Sequence, residues 1–138
     1  MERILLPVDI SHPEKVAEIF AEAKKIAANR EVSLTVIHII SPMPGLLSAE
    51  LPAGFAERVA SEVEARVSAL VKEHNLDPST EVVVRSGVPQ HEIVSIAKEQ
   101  SADLIIIASH KPGIADYLLG SVAAAVVRHA PCSVLVKR

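Results

Sequence analysis

Aromatic residues and cysteine are scarce in this chain of 138 residues. Phe, Tyr and Trp together make up 2% of the sequence, and Trp is absent, so little surface is available on which nucleic-acid bases could stack. Cys132 is the single cysteine, which excludes an internal disulfide and a cysteine-rich metal site. We expect Cys132 to behave as a small hydrophobic residue of the core.

An excess of positive charge and long apolar runs are also lacking. The formal charge of -3 at pH 7 argues against a surface that binds nucleic acids or anionic membranes. No apolar run approaches the roughly 20 residues that a membrane-spanning helix needs, and residues 1–3 lead into a short strand rather than a signal peptide. We therefore expect a cytoplasmic protein whose partners include neither nucleic acid nor membrane.

The hydrophobic residues, 49% of the sequence, suffice for one core, and we expect a single domain over residues 1–138. Short Val, Ile and Leu runs alternate with longer amphipathic stretches, a pattern typical of strand-helix units. The predicted fold class is α/β, an open parallel sheet of five strands with helices on both faces. The predicted strands are 4–8, 32–40, 82–84, 104–107 and 133–136, and the predicted helices are about 11–29, 56–75, the stretch around 93–97, and 121–129.

Local signals refine the first helix and the second strand. Ser11 and Glu14 have the spacing of a capping box, so we expect them to begin the first helix. The strand at 32–40 is apolar along its whole length, which indicates that both of its faces are covered. It is therefore predicted to be central in the sheet.

The segment 41–55 has no periodicity, is rich in Pro and Gly, and is longer than a minimal connection. It is predicted to be a lid or an interface loop. A loosely packed surface insertion is an equally consistent interpretation.

The last strand is short, apolar and terminal, so it is expected at an edge of the sheet, where it can pair with a second copy of the chain. We predict a homodimer on this basis. The alternative is an ordinary edge strand that Lys137 and Arg138 protect from association. The predicted contact residues are Ser133, Val134, Leu135 and Val136.

The run 104–121 leads from a buried strand through a polar loop to the start of a helix. In an open parallel sheet, ligands bind beyond the carboxyl ends of the strands, where the strand order reverses. Free N–H groups and the helix dipole at Gly120 and Ser121 suit phosphates. The predicted nucleotide-binding residues are Pro7, Val8, Asp9, Ile39, Ala108, Ser109, His110, Lys111, Gly120, Ser121 and Val122.

Each part of a nucleotide has a predicted partner in this set. Asp9 is expected to bind the ribose hydroxyls or a magnesium ion, and Ile39 to pack on the base and pair with it through its backbone. Lys111 adds a positive charge. A structural role remains open for Asp9 and Ser121, since either can simply cap a helix, and His38 is interpreted as a hydrogen-bonded imidazole of the core rather than a ligand.

Several common catalytic motifs are missing from the sequence. There is no Gly-x-x-x-x-Gly-Lys phosphate loop, no Gly-x-Gly-x-x-Gly turn, no His-Glu-x-x-His site and no Gly-x-Ser-x-Gly elbow. These absences disfavour a fast NTPase, a dehydrogenase and a hydrolase with a Ser-His-Asp triad. No catalytic residue is predicted, and at most slow ATP hydrolysis is expected.

The sequence resembles the universal stress protein (UspA) family over essentially its whole length. The resemblance rests on Ile-Leu-Leu-Pro-Val-Asp-Ile-Ser at 4–11, Val-Ile-His-Ile-Ile at 36–40, Gly-Val-Pro at 87–89, Ala-Asp-Leu-Ile-Ile-Ile at 102–107 and the tail 118–136. It implies a Rossmann-like fold of the adenine nucleotide alpha hydrolase type and homodimers joined through the last strand. It also implies a role in stress survival and, in one branch of the family, ATP held with magnesium.

The loop after the fourth strand departs from the pattern that the ATP-binding branch usually shows. That pattern is Gly, two residues, Gly, nine residues, Gly and then Ser or Thr. Here Ala108 and Lys111 stand at the first two glycines, and eight residues separate Lys111 from Gly120. The run Ala-Ser-His-Lys-Pro resembles the UspF type, which binds ATP with a similar variant, so ATP with magnesium is the predicted ligand.

The predicted function is a nucleotide-responsive stress protein, in which ATP orders the loop 41–55 and biases the dimer surface toward a protein partner. Two other functions remain open from the sequence. The chain can be a dimeric interaction protein that has lost the nucleotide. It can also be a slow ATP hydrolase, with Asp9 holding magnesium while Lys111 or His110 stabilises charge on the transferred phosphoryl group.

Overall fold

The computed structural model describes residues 1–42, 45, 49–109 and 119–138. None of the helices in these ranges is long and apolar enough to cross a membrane. The strands are β1 (Glu2–Pro7), β2 (Val32–Ile40), β3 (Glu81–Ser86), β4 (Leu104–Ala108) and β5 (Ser133–Lys137). The helices are α1 (Pro13–Ala27), α2 (Phe55–Glu73), α3 (Pro89–Glu99) and α4 (Ser121–His129).

The five strands form one parallel sheet in the order β3-β2-β1-β4-β5. The predicted α/β fold with five parallel strands is confirmed, and β5 lies at an edge as expected. The prediction of a central β2 was imprecise, because β1 is the middle strand and β2 lies between β1 and β3. Any interior strand covered by helices on both faces is apolar throughout, so composition does not distinguish the middle strand from its neighbour.

Each face of the sheet is covered by a pair of helices. On one face, α1 and α2 pack against strand residues such as Ile4, Leu6 and Val36. On the other, α3 and α4 pack against Leu5 and Ile37. Neighbouring residues of a strand point to opposite faces, so β1 and β2 contribute to both clusters.

Cys132 belongs to the rim of the α3/α4 cluster rather than to its centre. The residue is only half-buried and packs against that cluster. Burial, and then the charge of Asp103, raise the pKa of the thiol. The expected core position is therefore only partly correct.

The first helix begins differently from the predicted capping box. Pro13 is the first residue of α1, His12 is its N-cap, and no side chain caps the helix. The Ser11 hydroxyl instead donates to a carboxylate oxygen of Asp9. Pro favours the first helical position because it has no N–H to satisfy there, which moves the start two residues beyond Ser11.

Replacement of Ile4 tests the central position of β1. Ile4 is fully buried and lies in register with Leu34 of β2 and Leu104 of β4. Ile4→Ala should lower the free energy of unfolding by about 2–5 kcal/mol, since it leaves a cavity between two strands and a helix. The control Val127→Ala changes a residue that is 46% exposed and should stay within about 0.5 kcal/mol of wild type. Equal losses in urea unfolding would contradict this packing.

Candidate functional site

A cleft of about 340 Å³ opens at the carboxyl ends of β1, β2 and β4. Its volume lies in the range of small-molecule sites, about 300–1,000 Å³. The strand order reverses between β1 and β4, because the chain moves outward from β1 to β3 and then returns to the other side of β1. The cleft is therefore at the topological switch point, where ligands of open α/β sheets bind.

The structure brings six of the predicted binding residues together around this cleft. Among the described residues, Ser109, Gly120 and Ser121 do not line it, while His110 and Lys111 lie outside the described residues. The predicted residues that line the cleft are Pro7, Val8, Asp9, Ile39, Ala108 and Val122.

The backbone around Ser109 and Gly120 explains their positions. The Ser109 N–H donates to the Lys137 carbonyl at 2.9 Å, so it extends the pairing of β4 with β5. Gly120 is buried and is the N-cap of α4, with its carbonyl accepting from the Ala124 N–H. Ser121 is the first residue of α4 and is exposed, so capping by Ser121 is not its role here.

Asp9 lies in a turn between β1 and α1 and is exposed to solvent. One of its carboxylate oxygens accepts from the Ser11 backbone N–H at 2.9 Å and from the Ser11 hydroxyl at 2.5 Å. Its carbonyl accepts from the His12 N–H at 3.0 Å. Such a side-chain-to-backbone turn holds the carboxylate in one place at the mouth of the cleft.

The backbone of Ile39 faces the cleft beyond the point where β1 ends. The Ile37 carbonyl accepts from the Val8 N–H, while the Ile40 carbonyl accepts from the Gly87 N–H on the β3 side. Because backbone groups alternate in direction along a strand, the N–H and C=O of Ile39 point to the same side as those of Ile37. The last β1 residue in register with β2 is Pro7, opposite Ile37, so β1 does not reach Ile39.

His38 lines the cleft, and its side chain joins β2 by a hydrogen bond to the backbone just after β1. Its Nδ1 lies 3.0 Å from the Val8 carbonyl oxygen. A carbonyl only accepts hydrogen bonds, so Nδ1 is the donor in this contact. The predicted hydrogen-bonded imidazole is therefore present, although it is half-buried at the cleft rather than in the core.

Lys15, on the first turn of α1, is a cleft residue that the sequence did not reveal. It follows β1 closely, but only the helix start shows that its side chain faces the strand ends. The apolar side chains of the wall were predicted as core residues or were not singled out, because a periodic pattern does not show where a core opens to solvent. The main additions to the predicted set are Lys15, Ile19, His38, Val63, Pro89, Ile93 and Ile107.

Within the described residues, no group of three or more His, Cys, Asp or Glu side chains is arranged to hold a metal ion. Among the described residues that line the cleft, Asp9 is the only carboxylate. Mg²⁺ is commonly held in this way, by one or two carboxylates together with waters and substrate phosphates. The donor set suits a magnesium ion that arrives with a phosphorylated ligand.

A second depression of about 480 Å³ lies at the opposite end of the sheet. It is lined by residues near the amino ends of the strands, including Met1, Val32 and Asp77. Ligands of open α/β sheets bind at the carboxyl ends instead. The cleft beside Asp9 is therefore the candidate site.

Comparison with known proteins agrees with the fold and shows the family. The model of the universal stress protein family matches residues 1–138. The chain belongs to this family. It is 34% identical over 142 residues to universal stress protein G of Shigella flexneri, covering 98% of this chain and 97% of that protein. It is 29% identical over 138 residues to universal stress protein A homolog 1 of Coxiella burnetii, covering 97% and 94%.

Solved structures of universal stress proteins share the fold. UspA from Lactobacillus plantarum is 28% identical with a TM-score of 0.69, covering 99% of this chain and 97% of that one. A universal stress protein in complex with cAMP is 22% identical with a TM-score of 0.66. The universal stress protein from Archaeoglobus fulgidus in complex with dAMP is also 22% identical, with a TM-score of 0.61. At 22% identity the likeness shows the fold alone.

Two substitutions at His38 test its role in this universal stress protein. His38→Leu keeps the volume but leaves the Val8 carbonyl without its donor, which should cost about 1 kcal/mol or more of unfolding free energy. His38→Asn is smaller but places an amide N–H near the position of Nδ1, so it should be the more stable of the two. Urea unfolding measures both, and a His38→Leu variant at least as stable as His38→Asn would contradict the role of this hydrogen bond.

Proposed function

We propose that this chain binds ATP with Mg²⁺ in the cleft and acts in the cytoplasm as a dimeric, nucleotide-responsive stress protein. The observation that supports the nucleotide most strongly is the backbone of Ile39, directed into the cleft past the end of β1. The N–H and C=O groups of Ile39 lie side by side. The N–H complements N1 of adenine, which accepts a hydrogen bond, and the C=O complements the N6 amino group, which donates one. Apolar neighbours, among them Ile37 and Ile93, suit the faces of a base.

The ribose and the metal are assigned to Asp9. Its carboxylate is held at the cleft mouth by Ser11, close to where a sugar attached to a base at Ile39 would lie. A carboxylate accepts hydrogen bonds from ribose hydroxyls, and it also binds Mg²⁺ that is shared with phosphate oxygens.

The phosphates are assigned to the start of α4. Val122 reaches the cleft from this helix, and its first turn carries N–H groups that no preceding turn can satisfy. The positive end of the helix dipole favours an anion there. His110 and Lys111, which lie outside the described residues, stay predictions for the same end of the ligand.

The cAMP and dAMP complexes of two other universal stress proteins are consistent with the proposal. Both ligands contain adenine, as ATP does, and both proteins have the fold of this chain. They support an adenine nucleotide in general. The assignment of ATP and Mg²⁺ depends on Asp9 and on the resemblance of the sequence to the ATP-binding branch.

The homodimer is assigned to β5 through Ser133, Val134, Leu135 and Val136. This strand is at the edge of the sheet, and Val134 and Leu135 are only half-buried. The Lys137 carbonyl accepts from Ser109 on the β4 side, so backbone groups of Val134 and Val136 face outward. An outward row of N–H and C=O groups is suited to pairing with the same strand of a second copy.

Substitution of Asp9 by Asn tests the nucleotide proposal. The amide oxygen still accepts from Ser11, so the turn is kept, but the negative charge that binds Mg²⁺ is removed. Calorimetry should show that wild type binds ATP with one site per chain, and that Asp9→Asn weakens binding more in Mg²⁺ than in EDTA. Equal weakening in both would assign Asp9 to the ribose. Absence of ATP binding by wild type would contradict the proposed function.

Substitution of Val134 by Pro tests the dimer. Proline removes an N–H that faces away from β4, so the internal ladder is kept while pairing across the edge is blocked. We expect light scattering to report a dimer for wild type and a folded monomer for Val134→Pro, with an unchanged circular dichroism spectrum. A Val134→Pro variant that stays dimeric, or a monomeric wild type, would contradict the β5 interface.

A further inference from the structure

Lys15 is a positively charged side chain on the wall of the cleft. Among the described lining residues it is the only Lys or Arg. Its side chain is 25% exposed, and its Nζ lies 3.5 Å from a carboxylate oxygen of Glu18. The described part of the cleft therefore has one cationic group, partly shielded from water.

The packing of α1 places Lys15 near the junction of two strand ends. Helix α1 buries Val16 and Ile19 in the same cluster as Ile106 of β4. Ala108, the last residue of β4, packs against this cluster and also lines the cleft. Lys15 thus lies on the α1 face of the gap between β1 and β4, across the sheet end from Val122 and the start of α4.

The charges around the cleft make this lysine important for an anionic ligand. The chain carries a formal charge of -3. Glu18 places a carboxylate 3.5 Å from the Lys15 ammonium, and Asp9 lines the same cleft. A triphosphate adds further negative charge. Without a cation at the cleft, repulsion would oppose binding, and a partly buried ammonium is screened less by salt than an exposed one.

The geometry of the Lys15–Glu18 contact allows the Lys15 ammonium to leave Glu18 and contact a phosphate instead. The two residues are three positions apart on α1, and the distance of 3.5 Å is at the long end for a charged hydrogen bond. The Glu18 side chain is 40% exposed. The ammonium can therefore turn to a phosphate while water solvates the carboxylate.

We propose that Lys15 binds the phosphate groups of the nucleotide and sets the affinity for phosphorylated over unphosphorylated ligands. This inference rests on the proposed nucleotide site and adds a residue on α1 to the phosphate end. Lys15 and the start of α4 hold the phosphates from the two faces of the sheet. Glu18 acts on the ligand through Lys15, because its carboxylate competes with the phosphates for the Lys15 ammonium.

The test compares Lys15→Gln with Lys25→Gln, using ATP and adenosine as calorimetric probes. Lys25 lies on the same helix, its side chain is 74% exposed and it does not line the cleft, so its substitution controls for net charge. Lys15→Gln should weaken ATP binding about tenfold or more, the value of a charge-assisted hydrogen bond. It should leave adenosine binding within about twofold, and Lys25→Gln should change neither.

In a second pair of variants, the substitution near Lys15 should raise the affinity for ATP instead of lowering it. Glu18→Gln removes the competing carboxylate and should tighten ATP binding about twofold. Glu22→Gln, which removes the carboxylate paired with Lys25 and with Lys137 of β5, should not. The difference between the two variants separates a local effect on Lys15 from the loss of a negative charge anywhere on α1.

The outcomes distinguish failure of the proposed nucleotide site from failure of the proposed phosphate contact of Lys15. If wild type binds neither ATP nor adenosine, the nucleotide site and the role of Lys15 are both overturned. If wild type binds ATP but Lys15→Gln behaves like Lys25→Gln, the site stands and the role of Lys15 is overturned. Equal losses of ATP and adenosine in Lys15→Gln would show that Lys15 maintains the shape of the cleft, which also overturns a phosphate contact.

Discussion

The pairing of β1 with β2 on one edge and β4 on the other determines where the cleft lies. The chain winds outward from β1 to β3 with α1 and α2 on one face, then returns to β4 with α3 and α4 on the other. Right-handed crossovers require this change of face when the direction of winding reverses. The helix pairs separate at the ends of β1 and β4, so the cleft is a consequence of strand order.

Much of the fold and part of the site follow from general rules about parallel sheets. The run Leu104–Ala108 is recognisable as a strand because a parallel strand between two helix layers is apolar on both sides. The carboxyl ends of such strands meet at one edge. A residue that directly follows a strand, such as Asp9, or lies near its end, such as Ile39, is therefore expected near the ligand without knowledge of the strand order.

Other features depend on register and packing, which the sequence does not display. The Ser109 N–H donates to the Lys137 carbonyl because β4 and β5 are paired as far as their last residues, Ala108 and Lys137. Ser11 binds Asp9 instead of capping α1, a competition between two local hydrogen bonds with similar sequence signals. His38 and Lys15 are placed at the cleft by the end of β1 and the start of α1, so neither periodicity nor motif spacing identifies them.

Every proposed role of a cleft residue requires an adenine nucleotide between the ends of β1, β2 and β4. Titration of the isotopically labelled protein with ATP and Mg²⁺, followed by amide resonances, tests it most directly. The amides of Val8, Ile39 and Val122 should shift in a saturable manner, while those of Asn75 and Asp77 at the opposite end of the sheet should not. Shifts confined to the opposite end, or none at millimolar ATP, would contradict nucleotide binding in the cleft.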